Sequence, residues 1–492
     1  MKNILKKVAL VGAFVMTLGV GTTIGVNLNN IQTALAVENT TSNVWNGSYD
    51  IDWYDTSKTE FEINTAEQLA GLAKIVNGGN DMTGKTITLT NNILLNDISD
   101  YDKWSGPNDL GEIYSPANNW TSIGDGKDSK NGFNGTFNGN GFSIIGLYYF
   151  NTEDDYIGLF GYCKDESMVK NLKLEYEFIY NNKSYRTTAG LIGCNGGKVK
   201  NCYVYANITS MSGYIGGIVG DNSVSSGDHS GNIIDSCCFE GSINGRGTLG
   251  GIAGYNFGVI RYCYNNANIY NEYNENGPVG GIVGNNNGDM LECRNDGDMY
   301  CEYGQVGGIA GENDSSLFLI YDCYNTGNVT IGDMWYAGGV LGHGSYIQNC
   351  YSVGTVATSK NEDRLGGVVG CNGENITAIT NCYYKLDPIY KGDGNSIEEY
   401  IVGKSASAMQ TEEFATLLGD KFVYVENSYP RLAWELNNNN IWSINGNNTI
   451  DVPIKPDNPN DEYSRFDVNR DGSVNILDLI ELKQYILGLI SE

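Results

Sequence analysis

The chain has 492 residues, with 58 acidic and 30 basic side chains, a formal charge of −28, 65 glycines, 34 tyrosines and 12 cysteines. That charge disfavours nucleic acid and anionic membranes as partners, and it disfavours direct binding of a polyanion such as pectin unless cations bridge the two. So many glycines would weaken helices and suit a fold of short strands and turns.

In chain order, Lys2, Lys6 and Lys7 precede an apolar run from Val8 to Val20, and Ala34-Leu-Ala36 offers a small-residue cleavage site before Val37. Residues 1–36 are expected to be a signal peptide. A single-pass anchor is the competing reading, which Gly19, Gly21 and Gly25 disfavour. Cleavage removes three lysines and no acid, takes the charge to −31, and leaves a secreted chain with no membrane partner. Within a lead-in over 37–79, Thr65-x-x-Gln68 opens a helix through about Val76, apolar at Leu69, Leu72, Ala73 and Val76. It is placed to act as an N-terminal cap.

From Gly190 onward a two-part motif returns every 26 to 35 residues. Its first half begins at Gly190, Gly217, Gly251, Gly281, Gly308, Gly339 and Gly367. The second puts a cysteine at Cys202, Cys237, Cys263, Cys293, Cys323, Cys350 and Cys382. Each unit holds two or three short β-branched runs between Gly, Asn and Asp, without helical apolar spacing. One such unit cannot bury its own apolar face, so the units stack. The expected fold is all-β: a right-handed parallel β-helix over residues 80–395 with small helical caps, its ladder cysteines inward and glycine supplying positive φ at corners and close backbone approach. The cysteines are read as buried thiols, with occasional disulfides as the next alternative; Cys194 and Cys371, directly after Gly-x-x-Gly, are placed at a turn.

These repeats resemble the GLUG motif of bacterial surface and secreted proteins. The stretch before them, with Ile63 to Ala70, Gly84 to Thr90, Phe133 to Phe142 and Ile157 to Gly161, resembles the usual lead-in of such proteins. The resemblance covers about residues 48 to 435 and implies a pectate-lyase-like β-helix without assigned catalytic residues.

Ser405 to Leu418 reads as a short helix with Met409, Phe414 and Leu417 on one side. With Tyr429 to Trp434 it forms a C-terminal cap over 396–435 that closes the end of the stack. A linker over 436–462 holds Pro453, Pro456 and Pro459. The final segment, 463–492, contains Asp467, Asn469, Asp471, Ser473, Asn475 and Asp478 at loop positions 1, 3, 5, 7, 9 and 12, with Gly472 at position 6. Position 7 offers its backbone carbonyl. This is the donor pattern of a calcium loop, and the helix after it is apolar at Leu479, Leu482, Ile486 and Leu489.

The loop and helix resemble a dockerin repeat, one copy where dockerins usually carry two. Dockerins bind cohesin modules and through them attach proteins to cellulosome scaffolds. The resemblance implies Ca2+ as cofactor, a cohesin module of a scaffold protein as partner, and Ile476 and Leu477 as the pair that contacts it.

Two readings of the solenoid stay open. In one it is a carbohydrate-binding or adhesive module, with Tyr203, Tyr264, Tyr324, Tyr351, Trp335 and Tyr336 exposed as a stacking surface. In the other it is a polysaccharide lyase or glycoside hydrolase. Gly342-His343-Gly344 resembles the Gly-His-Gly of polygalacturonases, but the companion motifs do not stand in register, and His343 is read as a turn residue. Asp154-Asp155 and Asp228-His229 are read as solvated loop charges.

Overall fold

The structure is a computed structural model. It describes residues 44–436 apart from 108–111, 127–130, 151–153, 184–185, 212, 224–230, 273–276, 314–317, 333–334, 359–364, 372–377, 387–390 and 394–400, together with 443–444 and 450–451. Parallel strands stack as a β-solenoid of about nine turns. Three sheets form its sides. The first has 11 strands, from Glu60–Ile63 to Ile379–Thr380; the second has 16, from Ile93–Leu94 to Ile401–Lys404; the third has 16, from Tyr156–Ile157 to Lys391–Asp393. One turn runs through Lys198–Lys200, Tyr203–Ser210, then Tyr214–Gly216 and Val219–Asn222, and the next begins at Ile233–Asp235.

Stacking converts each repeat position into a column. In the first sheet Val169, Val199, Ile234, Ile260, Met290, Ile320, Ile347 and Ile379 pair in register, and each is fully buried. The seven ladder cysteines are fully buried, as expected, and all 12 cysteines are free thiols. Their position follows from the corner before them. The preceding residue (Asn201, Ser236, Tyr262, Glu292, Asp322, Asn349 or Asn381) has φ between 49 and 55° or, at Tyr262, 56°. That turn brings the carbonyl two residues before the cysteine to within 3.1 to 3.4 Å of its thiol, which donates to it. A valine there would fill the space but offer no donor.

At the corner before the cysteine the positive φ falls to asparagine in three turns and to Ser236, Tyr262, Glu292 and Asp322 in the others, whereas at the corner between the second and third sheets glycine supplies it as expected, at Gly213, Gly247 and Gly304 (φ 94, 122 and 147°). Asparagine tolerates that conformation, and here its amide also bonds along the column, Asn201 Nδ2 to Asn171 Oδ1 at 2.7 Å and Asn381 Nδ2 to Asn349 Oδ1 at 2.8 Å. The motif glycines serve close approach alone. A Cβ on Gly251 would lie 2.2 Å from the Gly281 carbonyl oxygen and 2.3 Å from Asn265 Cγ. Inside the stack, Asn195, Asn222, Asn256, Asn286 and Asn313 form a fully buried amide ladder with steps of 2.8 to 2.9 Å.

The N-terminal helix α1 (Ala66–Asn77) is the expected one. Thr65 caps it by accepting from the Gln68 amide, the Gln68 side chain accepts from Asn64 N, and Leu69, Leu72, Ala73 and Val76 are buried on the core. The C-terminal segment departs from its expected form. Ala408–Gln410 is a 3-10 turn, Thr411 caps a separate helix α2 (Glu412–Leu418), and Leu418 is buried while Leu417 is 44% exposed. Within α2 Phe414 and Leu418, four residues apart, share the buried face and leave Leu417 outside it.

Candidate functional site

The outer face of the second sheet carries the tyrosines that come after the ladder cysteines. Lys173, Tyr203, Cys238, Tyr264, Arg294, Tyr324, Tyr351, Tyr383 and Val402 pair in register as one column. Tyr203, Tyr264, Tyr324 and Tyr351 are not exposed. They are buried, because the C-terminal segment lies along this face as a strap where an end cap was expected. Met409, Phe414, Leu418, Phe422 and Leu432 pack on Tyr324, Tyr351 and Tyr383, and Trp434 packs on Tyr203, Cys238 and Tyr264. Trp335 and Tyr336 are half-buried.

One non-aromatic member of the column fixes the strap. Arg294 stands 4.8 Å from the Tyr264 ring and 5.5 Å from that of Tyr324, and Nη1 donates to Glu435 Oε2 at 2.6 Å. The Tyr324 hydroxyl donates to Glu435 Oε1 at 2.8 Å, and Trp434 Nε1 donates to Glu292 O at 2.9 Å. A buried carboxylate supplied by the strap thus completes a buried cation supplied by the repeats.

The third sheet presents a second column. Tyr162, Cys194, Asp221, Tyr255, Asn285, Glu312, His343 and Cys371 pair in register on strands, so His343, Cys194 and Cys371 are strand positions and not turn residues. Their Gly-x-x-Gly context resembles a turn in sequence, but close stacking is what the glycines serve. His343 faces Tyr336, ring centroids 6.3 Å apart. Burial pushes the Asp221 carboxyl up to about 6, against the lowering effect of its bond to Ser223. Glu312, three register steps away, lies about 14 Å along the stack at about 4.8 Å per step. That exceeds the roughly 5–9.5 Å over which two carboxylates share one glycosidic bond. Asp154 and Asp155 are not simple solvated charges either: Asp154 is buried and accepts from Tyr149 at 2.6 Å, and Asp155 pairs with Arg186.

The strand Lys173–Asn181 carries a break in the register of the stack. Leu174 and Ile179 both face the core but stand an odd number of residues apart, so strict alternation cannot serve both. A β-bulge between Leu174 and Glu177 absorbs the extra residue. It places Tyr176 at φ 58°, leaves that residue 40% exposed, and turns Glu177 into the core. Tyr101 and Tyr205 flank the Tyr176 ring edge-on at 5.4 and 5.5 Å, and Trp104 backs Tyr101 at 5.2 Å. The Tyr101 hydroxyl donates to Glu177 O at 2.7 Å, tying the loop to the bulge. Sequence reasoning missed this cluster. Its signal was the broken alternation in Leu174-Glu-Tyr-Glu-Phe-Ile179.

Asp467, Asn469, Asp471, Ser473, Asn475, Asp478, Ile476 and Leu477 lie outside the described residues, as do residues 1–36 and Asp228-His229. Among the described residues no helix is long and apolar enough to cross a membrane, and no cluster of three or more His, Cys, Asp or Glu is arranged to hold a metal ion.

Residues 302–330 match the GLUG motif family, and residues 444–492 match the dockerin type I domain. A stretch of 85 residues is 36% identical to a protein of Evansella cellulosilytica described as a candidate Gly-rich membrane protein, covering 17% of this chain and 10% of that relative. The chain thus spans about a tenth of the length of the curated relative it matches. A solved structure of a candidate immunoglobulin A1 protease from Bacteroides ovatus aligns at a TM-score of 0.42 and 18% identity over 77% of this chain and 94% of its own. The chain combines a GLUG-motif β-solenoid with a C-terminal dockerin type I domain.

Proposed function

We propose that this is a secreted, scaffold-tethered protein whose solenoid binds polysaccharide without cleaving it. The observation that carries the tether is the dockerin match over 444–492, which contains the donor set Asp467, Asn469, Asp471, Ser473, Asn475 and Asp478. Those donors suit a hard cation. Three carboxylates and two neutral side-chain oxygens repel or fail to converge without a divalent ion, and Gly472 permits the loop's sharp turn. Calcium would supply the charge that lets the loop close and the helix after it present Ile476 and Leu477 to a cohesin module. Export fits the basic and apolar leader over residues 1–36 and the cleavage site at Ala36. The non-catalytic reading takes its support from the column carboxylates Asp221 and Glu312, which stand too far apart to share one glycosidic bond.

Titration calorimetry of the full chain against calcium, then against a cohesin panel, tests the tether. Calcium binding is expected, cohesin binding only in its presence, and loss of both in Asp471→Ala. Leu477→Asp should keep calcium and weaken cohesin. Calcium uptake with no cohesin bound by any member of the panel removes the scaffold from this reading. Release of reducing sugar or unsaturated product from a panel of plant polysaccharides would overturn the non-catalytic part.

A further inference from the structure

We propose that the bulge at Tyr176 is the binding site for an uncharged polysaccharide, with the Tyr176 ring as its stacking platform. This rests on the reading that the solenoid binds polysaccharide, and it says where and of what charge. The tyrosine column, the obvious candidate in the sequence, is sealed under the strap. Beyond the strap's edge the same sheet face continues into Tyr205 and Tyr176, against which the turn of Tyr101 and Trp104 packs, and there Tyr176 is left 40% exposed.

Three features point to a ligand. First, Tyr176 is held at φ 58°; Tyr262 shares that conformation as a half-buried corner of the repeats, whereas Tyr176 has it at a bulge outside the repeat pattern and is exposed. Asparagine or glycine would hold the same backbone more comfortably, as asparagine does at Asn171 and Asn201 in this fold. Second, the platform is held in place before anything binds, since Tyr101 and Tyr205 brace the ring on two sides and the Tyr101 hydroxyl is anchored. Third, its rim is polar and acidic. Glu240 pairs in register with Tyr205 and accepts from Tyr203 at 2.7 Å, Ser242 donates to Asn207 at 2.9 Å, and Glu175 adjoins Tyr176. Carboxylates and amides beside an aromatic face suit sugar hydroxyls, while Glu175 and Glu240 repel uronates and phosphates.

Affinity electrophoresis of the full chain through gels containing xyloglucan, mixed-linkage β-glucan, glucomannan or polygalacturonate is the test. Retardation is expected in at least one of the three neutral polymers and not in polygalacturonate. Tyr176→Asn should weaken that retardation about tenfold in apparent Kd while leaving the thermal midpoint equal or higher. Tyr300→Ala, on a different column, should change nothing. A wild-type chain retarded by a neutral polymer as strongly as Tyr176→Asn moves the site elsewhere but keeps the binding reading. No retardation in any neutral polymer ends both, and leaves the cohesin tether standing. A thermal midpoint that falls in Tyr176→Asn with binding intact assigns the ring to packing and overturns the site.

Discussion

Glu177 is where the bulge leaves a mark on stability. Its side chain is fully buried, neither carboxyl oxygen has a hydrogen-bond partner among the described residues, and the residue paired with it in the next strand is Ala206. Burial without a charge partner pushes its carboxyl well above the ordinary range, so the folded chain holds it protonated where the unfolded chain releases the proton. A folded value above the unfolded one gives stability that is full below the unfolded value, near 4.3, and declines as pH rises toward the folded value. Glu177→Leu removes that decline. From pH 4.5 upward the variant should gain on the wild type by about 1.4 kcal/mol per pH unit until the folded value is reached. Chemical denaturation at several pH values measures it, and parallel profiles for the two proteins would show that Glu177 stays charged in the folded chain. The bulge was legible as broken alternation, whereas the depth of Glu177 was not, because charge normally predicts the outer face.

At the scale of elements, the strap shows what a repeat pattern can and cannot disclose. The inward columns were readable because each repeat states them again, and α1 was readable from its cap and spacing. The fate of the outer tyrosines was not, since their cover comes from residues outside the repeats and over 100 positions away, such as Glu435 on Tyr324. One clue existed. Arg294 stands between Tyr264 and Tyr324 in the column, and its buried guanidinium has room for a second anion beside its neighbour Asp296. Loss of Glu435 takes away the strap's ion pair with Arg294 and its bond from Tyr324, while Asp296 stays paired with the cation. Glu435→Ala should therefore detach the strap locally while the solenoid stays folded. Limited proteolysis should cut between Ser405 and Leu436 far faster in the variant, with far-UV circular dichroism unchanged. Equal cutting rates would mean that apolar packing on Tyr324 and Tyr351 holds the strap without the ion pair.

Across the whole molecule, stability in a stack of like turns is close to a sum of each turn and its two neighbours, so terminal turns should open first. Cys382 belongs to the last full turn, and by that rule its thiol should become reactive before Cys263 in the middle. The strap alters the expectation, because it lies on the turns of Tyr264 through Tyr383 and ties the C-terminal end of the stack to its middle. All seven ladder thiols are fully buried, so an alkylating reagent cannot reach them in the native chain, and labelling should report opening alone. In pulsed alkylation at increasing urea, read by mass spectrometry, Cys350 and Cys382 should label together with Cys263 and Cys293 in the wild type. In Glu435→Ala the order should separate, with Cys382 and Cys350 labelling at lower urea than Cys263. Should Cys382 lead in both proteins alike, the strap would be a cover for the tyrosines and no brace for the stack.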